Sequence, residues 1–396
     1  MNSEATNPPR DILLIKTGEL VLKGLNRGTF EAILMKNLRY RLHSLGEFKI
    51  RKAQSAFFVE PASGQIDMTE AARRVSEVFG IAAYSSARVT GKSMDAILET
   101  AADYLGRELL ASRTFKVEAK RSDKAFSLKS PEICEQAGEY LLNRFPHLKV
   151  DVHNPEALVV IEIRDFGAYI HSRQLPGAGG MPAGSGGHAA LLISGGIDSP
   201  VAGFMMARRG ISLCGIHFVS PPYTSERAEL KVVSLMEQVS HYAGHMELFI
   251  VPFTKIQTEI GRLCPEDLFT VIMRRFMMKI ATILGKKMDC QALVTGESVG
   301  QVASQTLPAI VCTDAAAGLP VLRPLIGMDK DEIIAVSRRI ETFDISIQPY
   351  EDCCTIFTPR HPRTRPKLEK VLEAEEALDA DALIEEAIRG VRRRLI

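Results

Sequence analysis

Between residues 189 and 295 the chain alternates uninterrupted apolar runs with stretches of helical periodicity. The apolar runs predict strands at 189–194, 211–219, 246–251 and 290–295, and the stretches between them predict helices at 200–209, 225–241 and 267–286. Strands that are apolar on both faces are typical of a parallel sheet covered by helices on either side. We therefore predict a doubly wound α/β domain, whose ligand lies beyond the carboxyl ends of the strands.

The first half of the chain is predicted to form two smaller α/β modules, so the protein is an α/β multidomain chain. A strand, a helix and two paired strands at 11–16, 28–44, 48–52 and 56–60 are typical of a ferredoxin-like unit, which we assign to residues 1–68. The pattern restarts at Thr69 and continues to Gln174. A segment rich in glycine and proline, 175–188, is predicted to link these modules to the doubly wound domain at 189–396.

Composition excludes several classes of protein and site. Apolar residues make up 46% of the 396 residues, the formal net charge is +1, and no apolar run is long enough to span a bilayer. The first ten residues have no apolar leader segment, so we expect a cytoplasmic protein without a membrane partner. None of the seven cysteines forms a CxxC pair, and we therefore expect reduced thiols and no metal centre among the site residues.

The segment SGGIDS at 194–199 carries the strongest chemical signal in the chain. It follows a predicted buried strand and opens a predicted helix at Pro200. Glycines at such a turn let backbone N–H groups approach an anion, and the helix dipole adds positive potential there. The hydroxyls of Ser194 and Ser199 can also donate to phosphate oxygens. A carboxylate at Asp198 suits such a site if Mg²⁺ joins it to the phosphates.

This string resembles the pyrophosphate loop (PP-loop) of the ATP pyrophosphatases, and further segments narrow the resemblance to the tRNA 4-thiouridine synthase family, also called tRNA sulfurtransferases. The segments that carry it are GELVLKGLNRGTFE (18–31), KRSDKAF (120–126), IHFVSPPYTSERA (216–228), TGESVGQVASQT (295–306), LRPLIGMDK (322–330) and PYEDCCTIFTP (349–359). The resemblance implies a ferredoxin-like domain, a THUMP RNA-binding domain and a PP-loop ATP pyrophosphatase domain, in that order.

The resemblance also implies where the nucleotide binds. The residues that match the family's ATP site are Leu192, Ile193, Ser194, Gly195, Gly196, Asp198, Ser199, His217, Phe218, Arg274, Gly296 and Gln305. Helical phase alone does not decide whether Arg274 or its neighbour Arg275 faces the anion while the other faces solvent. Asp198, Lys330 and Cys353 match catalytic positions, with Lys330 neutralising phosphate charge and Cys353 attacking or resolving a persulfide. Cys354 remains the alternative thiol.

In the reaction that the family implies, ATP activates a uridine of tRNA, expected at position 8, for replacement of O4 by persulfide sulfur. The chain leaves no room for the C-terminal rhodanese domain of some members, so sulfur is expected from a partner, a cysteine desulfurase. A homodimer and a second role in making the thiazole of thiamine both stay open. For tRNA we expect contacts from a basic stretch with interleaved aromatic residues, namely Lys116, Lys120, Arg121 and Lys124.

Two other functions compete with this one. A synthetase of the same superfamily that makes an amide or guanidino product would need neither Cys353 nor RNA. An RNA-binding protein with a degenerate nucleotide fold would not need the intact SGGIDS string.

Overall fold

The computed structural model describes residues 10–53, 56–62, 66–350, 353, 357, 359 and 361–396. The chain divides into two compact units, which are described separately. The first unit comprises residues 1–31 and 38–179, and the second comprises residues 32–37 and 180–396. Helix α1 (Arg27–Leu42) contributes to both.

The first unit is built on one sheet with nine described strands and helices against it. Its strands are β1 (Arg10–Thr17), β2 (Phe48–Ala53), β3 (Ala56–Pro61), β4 (Ile81–Thr90), β5 (Thr114–Arg121), β6 (Lys149–Val150), β7 (Ala157–Arg164), β8 (Gly167–His171) and β9 (Leu175–Pro176). Its further helices are α2 (Met68–Ser76), α3 (Met94–Tyr104), α4 (Gly106–Ala111) and α5 (Ser130–Arg144). The periodicity of residues 93–110 predicts one helix, and the structure interrupts it at Leu105.

Strand β4 connects the two halves of this sheet. The strand order is β2-β3-β1-β4-β8-β7-β5-β6, and β9 also pairs with β4. The first four strands have the antiparallel order of a ferredoxin-like fold, as predicted. On its other edge β4 pairs with β8 over Ala87–Thr90. The two halves thus share one continuous ladder of backbone hydrogen bonds.

The sheet curls so that strands well apart in its order touch on one face. The rings of Phe58 on β3 and Tyr169 on β8 have centroids 5.1 Å apart, although β1 and β4 lie between their strands. The guanidinium of Arg164 on β7 lies 5.3 Å from the Phe58 ring centroid. This face is thereby buried by its own side chains. The opposite face of the β5–β8 half packs on α3 and α5 through an apolar core that includes Phe115 and Ile133.

The second unit is the predicted doubly wound domain. Its strands are β10 (His188–Leu192), β11 (Ser212–Val219), β12 (Glu247–Pro252), β13 (Ala292–Val294), β14 (Val321–Leu322) and β15 (Arg392–Leu395). Its helices are α6 (Asp198–Arg208), α7 (Glu226–Ala243), α8 (Thr254–Leu263), α9 (Phe269–Lys287), α10 (Leu307–Asp314), α11 (Lys330–Arg339) and α12 (Phe343–Ser346), followed by Leu368–Glu375 and Ala380–Arg389.

The sheet of the second unit has the order β14-β13-β10-β11-β12-β15. All neighbouring pairs are parallel except β12 and β15. Seven of the eight residues of β11 are buried, in accord with helices on both faces of the sheet. Because β10, β11 and β13 are parallel, their carboxyl ends lie at one edge of the sheet, and the segments that follow them meet there.

The end of the chain differs from what its sequence pattern predicts, which is one charged helix over 367–394 with a solvated end at 389–394. The structure has two helices and then β15, which pairs antiparallel with β12. The reason is that β12 would otherwise leave its backbone groups unpaired at the sheet edge. Ion pairs between Arg392 and Glu229 and between Arg393 and Glu247 hold the arginines of β15 beside their partners.

Within the described ranges, none of the helices combines the length and the apolar character that crossing a bilayer requires.

The glycines of segment 175–188 are required by its geometry. Gly180 has φ +69°, and a Cβ there would lie 2.3 Å from the carbonyl oxygen of Arg208 at the end of α6. We expect Gly180→Ala to lower the free energy of unfolding by roughly 1–3 kcal/mol, measured by chemical denaturation. The control is Gly327→Ala, where a Cβ would meet nothing within 4 Å. Equal stability of the two variants would contradict this close packing.

Candidate active site

The SGGIDS turn leaves the carboxyl end of β10 and leads into the first turn of α6. Within it, the Ser194 N–H donates to Ser199 Oγ at 3.0 Å, and the Gly196 N–H donates to Ser194 Oγ at 3.3 Å. Ser199 Oγ in turn donates to the Ser194 carbonyl oxygen at 3.3 Å. The two serines therefore fix the shape of a turn that includes Gly195, and the N-terminus of an eleven-residue helix adds its positive dipole end.

Gly296 follows β13 and packs directly on this turn. A Cβ at position 296 would lie 2.7 Å from both the Asp198 carbonyl carbon and the Ser199 nitrogen. These are backbone atoms that cannot move aside without distorting the start of α6. The resemblance implies that Gly296 belongs to the nucleotide site, and the structure shows that a glycine here allows close approach of the turn itself.

Asp198, the first residue of α6, is held on both carboxylate oxygens. Lys330 Nζ donates to Oδ1 at 2.7 Å, and Gln301 Nε2 donates to Oδ2 at 2.9 Å. Lys330 opens α11, whose start is fixed by a capping box between Asp329 and Glu332. Three segments that are distant in sequence thus meet beside the turn and contribute a carboxylate, an amide and an ammonium group.

The turn opens into a cavity of about 430 Å³ at the carboxyl edge of the sheet. Eleven of the twelve residues predicted to bind ATP line it, all but Gly195, and Cys353 lines it too. The sequence analysis missed several of its wall residues. These include the apolar side chains of Ile216, Met273, Met277 and Met278, together with Thr270, Thr295 and Glu297.

His217 and Phe218 stand at the end of β11 with both side chains almost fully buried. His217 Nδ1 lies 3.0 Å from the Ile193 carbonyl oxygen, which fixes the plane of the imidazole. The Phe218 ring packs edge-to-face on Phe253 at 5.0 Å between centroids. On the opposite side, Gln305 accepts a hydrogen bond from the Ser298 N–H at 3.3 Å.

The structure separates the two arginines of α9. Arg274 lines the cavity and donates to Glu297 Oε1 at 2.6 Å and to Ser304 at 3.2 Å. Arg275 is 2% exposed and pairs with Glu375, while also donating to the Cys312 carbonyl oxygen at 2.6 Å. The alternative in which one arginine faces solvent is therefore wrong. Arg275 holds the helix 368–375 in place, and Arg274 is the one at the cavity.

Glu297 is a buried carboxylate between two guanidinium groups. It accepts from Arg274, from Arg323 Nε at 2.7 Å and from the Thr295 hydroxyl at 2.7 Å. Burial alone would raise the pKa of Glu297. The two arginines and the hydroxyl more than offset burial, so its pKa lies below the ordinary value. Glu297 thus stays ionised and keeps Arg274 directed along the cavity wall.

Cys353 is 4% exposed and lies at the cavity wall. Its carbonyl oxygen accepts from Gln257 Nε2 at 2.8 Å, and the Gln257 amide oxygen accepts from the Ser220 hydroxyl. Gln257 is itself fully buried in α8. Cys354 lies outside the described residues.

The four basic residues expected to contact tRNA lie on or just after β5 in the first unit, and they differ in surroundings. Lys116 pairs with Glu118 at 3.0 Å, and Lys120 lies 3.6 Å from the buried Glu162. Arg121 donates to the carbonyl oxygens of Phe126 and Leu128, so it shapes the following turn. Lys124 is exposed in that turn.

The paired state of Glu297 predicts a pH dependence of stability. Because its folded pKa is lowered, Glu297 contributes stability above its unfolded pKa of about 4.3, and this contribution is lost as pH falls through the folded value. We expect Glu297→Gln to lower the free energy of unfolding by up to about 3 kcal/mol near neutral pH, with a smaller difference from the parent protein in acid. Denaturation curves at both pH values measure it.

The matched control is Glu259→Gln, which removes a half-buried carboxylate that pairs with the exposed Arg262 at 2.6 Å within α8. Exposed pairs contribute little, so this variant should keep the stability of the parent protein. If the loss in Glu297→Gln were the same at every pH, ionisation of Glu297 would not be its cause.

Comparison with known proteins assigns the chain to a family. Family models match three successive stretches: "ThiI ferredoxin-like domain" at 12–85, "THUMP domain" at 91–172 and "Thiamine biosynthesis protein (ThiI)" at 184–380. The chain is 47% identical over 385 residues to a "Probable tRNA sulfurtransferase" of Acetivibrio thermocellus, covering 96% of this chain and 97% of that protein. It is 48% identical over 376 residues to one from Caldanaerobacter subterraneus, covering 95% and 97%.

Solved structures agree with this assignment. A crystal structure described as a 4-thiouridine synthetase–RNA complex with bound ATP superposes with a TM-score of 0.91 at 33% identity, covering 98% of this chain and 100% of that one. PH1313 from Pyrococcus horikoshii gives a TM-score of 0.63 at 25% identity, covering 84% and 99%. The resemblance seen in the sequence motifs is confirmed along nearly the whole length, and the chain belongs to the tRNA sulfurtransferase family.

Proposed function

We propose that this protein is an ATP-dependent tRNA sulfurtransferase that adenylates a uridine, at position 8 as expected from the family, and replaces its O4 with sulfur to give 4-thiouridine. The observation that carries the proposal is that a phosphate-binding turn and a cysteine open into the same cavity. Activation is needed because a carbonyl oxygen is a poor leaving group, whereas AMP is a good one. A cavity with the turn but without the cysteine would support adenylation of the uridine but not the sulfur transfer.

The triphosphate of ATP fits the SGGIDS turn. Backbone N–H groups, the hydroxyls of Ser194 and Ser199 and the α6 dipole all favour an anion there. The uridine O4 attacks the α-phosphorus, and the bond to the leaving pyrophosphate breaks. Lys330, at 2.7 Å from Asp198, is placed to neutralise charge that develops on the phosphates.

The donor set at Asp198 also fits Mg²⁺, since a carboxylate oxygen beside a phosphate site is a ligand that this ion prefers. Asp198 would hold the ion, which would supply positive charge that stabilises the phosphates of bound ATP. In the structure, hydrogen bonds from Gln301 and Lys330 orient the Asp198 carboxylate.

The remaining wall of the cavity suits adenosine. Ile216, Met273 and Met277 provide an apolar surface for a purine ring, and methionine adapts readily to a flat ligand. Arg274 adds a cation that Glu297 orients, which supports its assignment to the nucleotide site rather than Arg275.

The sulfur step is assigned to Cys353. The terminal sulfur of a persulfide, borne on Cys353 or on a donor that Cys353 resolves, attacks C4 of the adenylated base, and AMP leaves. A second thiol then attacks the inner sulfur of the C4–S–S bridge, which releases 4-thiouridine and leaves a disulfide that an external thiol reductant reopens. Gln257 supports this step as a positioning residue, because its buried amide fixes the Cys353 backbone beside the cavity. Cys354 remains the alternative thiol.

Sulfur has to reach Cys353 in the persulfide oxidation state, and a cysteine desulfurase is the donor that we propose.

A homodimer, a cytoplasmic location and a second sulfur-transfer role toward the thiamine thiazole belong to the same proposal. So do the domain limits at 1–68, 69–174, 175–188 and 189–396. Light scattering and tRNA-free sulfur-transfer assays test the oligomeric state and the second role.

For tRNA binding the proposal relies on Lys120 and Lys124, with Lys116 beside them. Lys120 and Lys124 are exposed, and the Lys116–Glu118 pair is accessible enough to be exchanged for a phosphate contact. Glu162 is buried, but Lys120 is 3.6 Å away and Arg164 pairs with Glu162 at 2.6 Å, so Lys120 can turn to a phosphate without leaving this carboxylate unpaired. Arg121 contributes indirectly, since it holds the turn that presents Lys124. Binding through phosphates reads the shape of a folded RNA rather than its sequence.

The two half-reactions should separate by mutation. We expect Cys353→Ser to release pyrophosphate from ATP with tRNA present but to form no 4-thiouridine, because adenylation needs no thiol. Asp198→Asn should lower the rate of pyrophosphate release about 100-fold while tRNA binding persists. Pyrophosphate assays and mass spectrometry of tRNA nucleosides, with a persulfide source supplied, measure both.

Cys264→Ser is the control, since that half-buried cysteine contacts the Ala374 carbonyl oxygen and does not line the cavity. Full 4-thiouridine formation by Cys353→Ser would remove Cys353 from the mechanism. Pyrophosphate release that does not depend on tRNA would favour a synthetase acting on a small molecule.

Salt dependence tests the RNA surface. We expect Lys120→Ala and Lys124→Ala each to weaken tRNA binding several-fold and to reduce the slope of log affinity against log salt by about 1. Lys370→Ala, which removes an exposed lysine from helix 368–375, is the control and should leave the slope unchanged. Unchanged slopes in all three variants would place the RNA surface elsewhere.

A further inference from the structure

Three potential metal ligands meet at the amino edge of the sheet in the second unit, opposite the edge that forms the cavity. His188 begins β10, Cys214 is the third residue of β11, and Cys290 lies just before β13. One ligand atom from each lies within 4.8 Å of the other two. The proposed sulfur-transfer chemistry uses none of these residues.

The spacing of the two sulfurs suits a tetrahedral ion. Cys214 Sγ and Cys290 Sγ are 3.7 Å apart. Two bonds of about 2.3 Å from Zn²⁺ to sulfur at a tetrahedral angle place the sulfurs about 3.8 Å apart. A disulfide would require about 2.0 Å, so the two sulfurs would have to move together by well over an ångström to form one.

The hydrogen bonds around His188 prepare its ring for metal binding. Ser212 Oγ donates its proton to the Gly187 carbonyl oxygen at 3.0 Å and lies 2.9 Å from His188 Nδ1. The hydroxyl therefore accepts from Nδ1–H, which leaves Nε2 with the lone pair. A partner that fixes the other ring nitrogen in this way is the usual arrangement around metal-binding histidines.

The backbone around these residues is also fixed without a metal. The His188 N–H donates to Gln291 Oε1 at 2.7 Å, and the Gln291 N–H donates to the His188 carbonyl oxygen at 2.8 Å. Gln291 is the neighbour of Cys290. This exchange locks the start of β10 against the start of β13, so the ligands need little reorganisation.

A plain apolar role accounts for the two cysteines only in part. Both are buried and pack in the core of the second unit. Their sulfurs lie 3.7 Å apart, and each lies within 4.8 Å of a ring nitrogen of His188, so both thiols have polar neighbours that a purely apolar cysteine would lack.

We propose that His188, Cys214 and Cys290 bind one Zn²⁺ that braces the amino ends of β10, β11 and β13. Two thiolates and a neutral imidazole are ligands that Zn²⁺ prefers, and binding releases the thiol protons to solvent. The fourth position is taken by water from a neighbouring cavity of about 620 Å³, which His188 and Cys214 line and which provides the path of entry. The role of the ion is structural, because the nucleotide turn lies at the other edge of the sheet.

The test uses the full-length protein, freed of metal by chelation and then loaded with Zn²⁺ and desalted. We expect one Zn²⁺ per chain by elemental mass spectrometry, and a higher thermal unfolding midpoint than that of the metal-free protein. Loading with Co²⁺ instead should give thiolate-to-metal charge-transfer absorption and the visible bands of a tetrahedral ion. Metal below about a tenth of an equivalent, with no charge-transfer band, would overturn the proposal.

Variants locate the ion. Cys290→Ser and Cys214→Ser should each lose the metal and the Co²⁺ band, whereas Cys353→Ser and Cys264→Ser should keep both. If Cys353→Ser were the variant that lost the metal and the other variants kept it, the metal would lie at the proposed active site and the proposal would be overturned. If the serine variants do not fold, alkylation of the parent protein at increasing denaturant concentration decides: Zn²⁺ should delay modification of Cys214 and Cys290 relative to the metal-free protein, and equal rates would contradict the proposal. A Cys214–Cys290 disulfide in the isolated protein would also contradict it.

Discussion

The cavity at the SGGIDS turn depends on one contact between backbones, that of Gly296 with the first turn of α6. With only hydrogen in place of a side chain, the segment after β13 can lie directly over Asp198 and Ser199. The same segment then brings Gln301 into hydrogen-bond contact with Asp198 and places Glu297 and Gln305 on the cavity wall. A side chain at 296 would push apart the segments that follow β10 and β13. A site in an open α/β sheet is formed where such segments meet, so it would be lost.

The sequence predicted the regular part of this site because its signals are local. The alternation of apolar runs and helical periodicity predicted β10 to β13, and the SGGIDS string predicted a turn between β10 and α6. The choice between Arg274 and Arg275 could not be made locally. It depends on Glu297 and Glu375, which reach α9 from distant segments, so only packing decides which guanidinium meets which carboxylate. The match of sequence motifs to a family selected Arg274, which is the arginine that lines the cavity.

Other parts of the structure lacked a readable signal for physical reasons. A short arginine-rich segment has little strand propensity, and β15 forms because the open edge of β12 supplies the backbone partners. Likewise, cysteine spacing indicates a metal site only when the ligands are neighbours in sequence. His188, Cys214 and Cys290 are brought together by the pairing of β10 with β11 and β13, which no local pattern records.

The shared strand β4 has a consequence for how the first unit could have evolved. Since β4 hydrogen-bonds to β1 along one edge and to β8 and β9 along the other, neither half of that unit has a complete sheet without it. Without β4, the half built from β5 to β8 would present an open edge at β8, and an open edge is a template for pairing with another strand. A transfer of this half to another protein would therefore have to bring β4 or a replacement for it.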